Sequence, residues 1–249
     1  MSSMIRSAQD HHAAATAVSR APRPDLYSTI HKALRQFMTD TLGRVGRMDV
    51  DDDSDRNTTL DQVDLLLQQL RSHLQHENDF VHTAIDARRP GGARITANDH
   101  GQHLESMRNL DDEVQALRQA RDFQRPALAQ RLYSHLAIFV AENFEHMLVE
   151  ERDNNATLWA LYSDAELAGL HGRILAHIAP DEMARTVRWM AAAMNPQELA
   201  GMFTGMRQNA PAAAFEAMLD IVRQQLDTTR WAKLARALGL PPVPGLVTV

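Results

Sequence analysis

The chain has 249 residues, 44% hydrophobic and 23% charged, with 26 basic against 32 acidic side chains for a net charge of −6. This is ordinary globular composition, long enough for one or two domains, and it excludes disorder and collagen-like structure. The mildly acidic balance draws neither nucleic acid nor an anionic membrane, and the absence of Cys excludes disulfides, thiolate zinc sites, iron–sulfur clusters and a Cys nucleophile.

Residues 1–24 lack a secretory h-region and read as a flexible tail, with His11 and His12 solvated and a cytoplasmic address expected. Pro22 and Pro24 precede a first helix starting near Asp25, with Ile30, Leu34, Phe37, Met38, Leu42 and Val45 at helical spacing. The acidic run Asp51–Asp55 reads as a solvated loop. A second helix is predicted from Thr58 to Ala87 through Val63, Leu66, Leu67, Leu70, Leu74, Phe80 and Val81, and Pro90-Gly91-Gly92 ends it. Thr96 is the expected cap of a third helix through Met107, Leu110, Val114 and Leu117, and a fourth runs from near Pro126 to Trp159.

Nothing alternates with period two, and no apolar run approaches the roughly 20 residues of a membrane span. The expected fold is all-α: an antiparallel up-down four-helix bundle over residues 25–160, then a smaller helical region over 163–238 and a Pro-rich tail over 239–249. In the helical region Ser163–Glu166 reads as a capping box, and Pro180, Pro196 and Pro211 stand near helix starts. Its methionines (Met183, Met190, Met194, Met202, Met206, Met218) read as core packing, with a partner surface as the other reading. Covering one side of the bundle, or forming a homodimer or another protein contact, is the expected role.

Twelve His stand against three Trp and three Tyr. The stripe of the second helix steps from Leu70 onto His73 and then Glu77. The third helix continues the pattern with His100 and His103. In the fourth, Leu132, Leu136, Phe139 and Asn143 lead to His146 and Glu150. His31 falls on the inward side of the first helix, with Tyr27 one turn before it. Counting about 15 residues from the first turn to His31 and to His73 brings these two to one height in an antiparallel pair. One inward His is usually a satisfied core residue, but five with two Glu at one level call for cations among them. Tyr27, Asn143 and His135 are candidates for hydrogen bonds around such a centre, while His76, His82, His171 and His177 fall outside it by spacing.

These motifs, Ile30-His31-Lys32, His73-x-x-x-Glu77, Asp99-His100-x-x-His103 and His146-x-x-x-Glu150-Glu151, resemble those of the hemerythrin family in its HHE cation-binding branch. The resemblance spans residues 25–160. It implies two iron ions, with Mn or Zn as substitutes, ligated by His31, His73, Glu77, His100, His103, His146 and Glu150, the two carboxylates bridging. The family's third helix carries one His or a His-x-x-x-His pair, so one of His100 and His103 is an outer residue. Glu151 is the alternative to Glu150, which is preferred because it continues the apolar stripe. The donor set suits Fe, Mn or Zn, and no Glu-x-x-His of the ferritin type and no zincin motif occurs. The implied function is binding of O2, NO or peroxide for sensing, storage or stress response. A redox enzyme (oxidase, peroxide or NO reductase) and a structural metal bundle that binds a partner are the alternatives.

Overall fold

The computed structural model describes residues 23–241; the expectations for residues 1–22, His11 and His12 included, and for 242–249 lie outside it. The described chain is helical with no strand. Helix α1 is Ser28–Arg47. It is started by Asp25, whose carboxylate accepts from the Tyr27 and Ser28 amides at 2.9 and 3.0 Å. Helix α2 covers 53–88. Asp52 caps it by accepting from the amides of Ser54 and Asp55, so the acidic run is a loop only as far as Asp52. Asp53 and Asp55 occupy the first turn, where carboxylates favour the helix dipole.

Gly91, at φ 76°, supplies the left-handed conformation that turns the chain after Arg89. Helix α3, Arg94–Arg118, starts three residues earlier than a Thr96 cap would place it. Thr96 is not its cap but lies inside the first turn, buried, with its hydroxyl donating to the Ala93 carbonyl. Helix α4 covers 125–161, with Pro126 in its first turn.

Successive helices pair antiparallel, and α4 closes against α1. Their shared core is built from Leu34, Phe37 and Met38 of α1, Leu60, Leu66 and Leu70 of α2, Leu110 and Val114 of α3, and Leu132, Leu136 and Phe139 of α4. All lie at the 3–4 spacing that makes a continuous apolar stripe. The α-helical ladder is interrupted in two of the four helices. Residues Glu77–His82 of α2 and Glu150–Asn154 of α4 are π-helical.

Five shorter helices complete the described chain: α5 Asp164–His177, α6 Pro180–Ala193, α7 Pro196–Asn209, α8 Ala212–Gln225 and α9 Thr228–Ala237. The Ser163–Glu166 capping box forms. Pro180 and Pro196 open α6 and α7, and Pro211 caps α8. Helix α5 covers one end of the bundle, where Leu167 and Leu170 pack with Tyr27, Val81, Ile85 and Leu158. Helices α6–α9 enclose a core of their own around Phe203, Phe215, Val222 and Leu234. Met194 is buried in it and the other methionines of the stripe pack partly buried against it.

Helix α6 lies along α1. Trp189 stacks on Phe37 with ring centroids 4.2 Å apart and 15° between planes. Lys32 pairs with Glu198, and Ser72 donates to Glu182 at 2.6 Å. Among the described residues no helix is long and apolar enough to cross a membrane.

Trp189 is the main apolar anchor of α6 on the bundle. Trp189→Ala should lower stability by about 2 kcal/mol, less than the 3–5 kcal/mol of a fully buried ring. Urea titration followed by circular dichroism checks it, and an unmoved midpoint contradicts the docking.

Candidate metal centre

The four long helices bring eight ionisable side chains to one level. Glu77 and Glu150 lie at its middle, 4% and 0% exposed. Around them are His31 from α1, His73 and His82 from α2, His100 and His103 from α3, and His146 from α4, all buried or nearly so. Two sets of donor atoms each fall within 4.8 Å of one another: His31, His73 and Glu77, and Glu77, His100, His146 and Glu150. Glu77 belongs to both sets. Glu150 reaches both as well, with Oε2 3.6 Å from His31 Nε2 and Oε1 3.6 Å from His100 Nε2.

The imidazoles are oriented from outside. His31 Nδ1 meets Glu151 Oε1 at 3.1 Å, His100 Nδ1 meets Asn78 Oδ1 at 2.8 Å, and His146 Nδ1 meets Asp99 Oδ2 at 3.3 Å. Each partner oxygen only accepts, so each Nδ1 carries a proton and each Nε2 is the nitrogen turned inward. There His31 Nε2 stands 3.5 Å from Glu77, and His73 Nε2 stands 3.2 Å from the same carboxylate. His100 Nε2 and His146 Nε2 face one another at 3.0 Å.

All four oxygens of Glu77 and Glu150, with Nε2 of His31 and of His73, are buried and lack a hydrogen-bond partner. Leaving one buried polar atom unpaired costs about 1–3 kcal/mol and a charged one more. A bound cation removes that cost for the whole set at once. The residues therefore fit a metal on the evidence of their own unsatisfied atoms.

The electrostatics agree. Glu150 is held well below the usual carboxylate range: burial acts to raise it, and the imidazoles of His100, His146 and His82 beside it overcome that. Burial pulls His31 down, but Glu151, Glu77 and Glu150 together lift it to about 9. Burial pushes His73 to about 4 despite Glu77. His103 also falls to about 4, through burial and then the neighbouring His146 and His100. His73 and His103 are therefore neutral at pH 7, the form in which imidazole ligates.

A family model of the hemerythrin HHE cation binding domain matches residues 24–157. The chain belongs to that family. No curated protein matches the sequence. The match covers α1 to α4 almost to the end of α4, and so includes every residue of the centre. A hemerythrin-like domain with a buried His/Glu group of this kind is a cation-binding domain.

The structure sorts the candidate residues by position. Glu150 lies in the middle, while Glu151 is an outer group held by His31 Nδ1 and Arg35. His103 touches the ring of His146, centroids 4.9 Å apart, and like His82 falls outside both donor sets. His135 is not near the centre; it is half-exposed and bound to Glu113 at 2.6 Å. Asn143 is buried but spends its amide on the Phe139 carbonyl. Tyr27 is buried with its ring 5.3 Å from that of His31, and its hydroxyl accepts from Asn154 at 3.1 Å.

His82, placed outside the centre by spacing, is buried beside it, with Nε2 3.7 Å from Glu150 Oε1. The 3.6-residue period sets it about 140° round from Glu77. The π turn between them, with its i→i+5 repeat, removes that offset. A His five residues after an inward Glu was the signal available.

Metal should stabilise this fold directly. At a free metal concentration of 100 Kd the gain is about 2.7 kcal/mol. Thermal unfolding of the wild type with and without Fe2+ (kept anaerobic) or Zn2+ should show the midpoint rising, and Glu150→Ala should abolish the rise. An unmoved wild-type midpoint would count against the assignment.

Proposed function

We propose that the protein is a non-haem di-iron protein that binds O2, NO or peroxide for sensing, storage or stress response. The carrying observation is the pair of donor sets that share Glu77 and are both reached by Glu150. Two carboxylates between two groups of imidazoles would suit a pair of cations, which Glu77, Glu150 and the imidazoles around them would hold. Imidazole and carboxylate donors without thiolate favour Fe, Mn or Zn. When bound, a pair of irons supplies two-electron redox chemistry and an open position for a diatomic ligand.

The residues of the chain support binding over demanding oxidation. Only two carboxylates are present against several imidazoles, and a donor set so poor in negative charge stabilises high oxidation states weakly. The site is buried, Glu77 being 4% and Glu150 0% exposed, which favours small ligands over bulky substrates. Glu151, Asn78 and Asp99 hold three imidazoles in fixed orientation, so exchange of a small ligand need not disturb the bundle.

Anaerobic reconstitution with ferrous iron, then titration with O2 or NO under visible absorption, tests this. The expected result is two irons per chain and a ligand-dependent absorption band that reverses when the gas is removed. Continuous turnover with a reductant would instead make the protein an enzyme. No ligand-dependent band on a fully loaded protein would leave the metal structural and overturn the proposal.

A further inference from the structure

Building on the di-iron reading, we infer that His82 is a metal ligand, the third imidazole on the His100/His146 side of the centre, delivered there by the π turn of α2. The residue is 5% exposed, and its Nε2 is 3.7 Å from Glu150 Oε1 and 3.0 Å from the Thr96 hydroxyl. Its ring lies beside that of His100, centroids 4.8 Å apart and planes 23° apart. Its Nδ1 is buried without any hydrogen-bond partner. A histidine so placed, with one nitrogen orphaned and the other turned to a carboxylate that itself lacks a hydrogen-bond partner, is poorly served by protein contacts alone.

The π turn explains how it arrives. Widened turns cost helix stability and persist chiefly where function uses them. Here one turn presents three residues to the centre: Glu77 as the shared carboxylate, Asn78 as the group that orients His100, and His82. Thr83 donates its hydroxyl to the Asn78 carbonyl at 3.1 Å, which helps to satisfy the backbone of the widened turn. An unbroken α-helix through 77–82 would keep Glu77 but turn His82 away.

The competing residue for the same role is His103, which shares a helix with His100. Its ring instead meets His146 and, at 6.0 Å, Phe139, rather than either carboxylate. The two sides of the centre are thus unequal: His31 and His73 on one, and His82, His100 and His146 on the other, with Glu77 and Glu150 between.

The test uses the full chain loaded anaerobically with ferrous iron. Imidazole scattering is counted by X-ray absorption, and iron retention is measured by chelator competition, for wild type, His82→Ala and His103→Ala. His82→Ala should lose one imidazole per dinuclear centre and weaken retention of one of the two irons about tenfold or more; His103→Ala should change neither. Unchanged scattering and retention in His82→Ala, or the loss appearing in His103→Ala instead, would overturn the assignment while leaving the di-iron reading intact. Wild type that retains no iron would overturn both. If His82→Ala fails to fold, the wild-type count decides: five imidazoles per centre with the same count in His103→Ala support the assignment, and four contradict it.

Discussion

Two carboxylates ringed by imidazole nitrogens cannot share an apolar interior unless positive charge lies among them. Burying one ion without compensation costs several kcal/mol even after relaxation, and here two carboxylates stand against one another across the same space. Everything distinctive in the bundle stems from this. The helices must be long enough to bring residues from four segments to one level, the apolar stripes must stop where the donors begin, and both carboxylate-bearing helices widen at that point.

The centre is held by a second layer that is cheaper to build, because it lies nearer the surface. Glu151, Asn78 and Asp99 fix the protonated nitrogens of three imidazoles, and Arg35 holds Glu151 in turn. Beyond that layer the later helices brace the same two helices that carry His31 and His73. Lys32 and Ser72, each adjacent in sequence to one of these imidazoles, bind Glu198 and Glu182. The C-terminal helices therefore cover a flank of the bundle at the height of the centre, and they do so with their own apolar core intact.

Much of the fold was legible because burial in a bundle is written at one period. Leu60, Val63, Leu66, Leu67 and Leu70 step along a single face, and His73 and Glu77 continue it without a change of phase. The inward side of α3 and α4 was readable in the same way, and so was the burial of Glu150 rather than Glu151. What escaped was local departure from that period. His82 was hidden by a widened turn that no propensity reveals. Thr96 has the chemistry of a cap, yet tertiary packing turned its hydroxyl to the Ala93 carbonyl beside His82. Asp53 and Asp55 look like loop residues, but a helix dipole accepts them readily. His135 is half-exposed and was drawn off by Glu113 at another level of the bundle.

The most direct test is a crystal structure of the iron-loaded protein with anomalous data collected at the iron edge. Two anomalous peaks should lie between Glu77 and Glu150, with His31 and His73 on one and His100 and His146 on the other. A loaded crystal with no iron between those carboxylates, their charge met by protons or water alone, would contradict the metal centre.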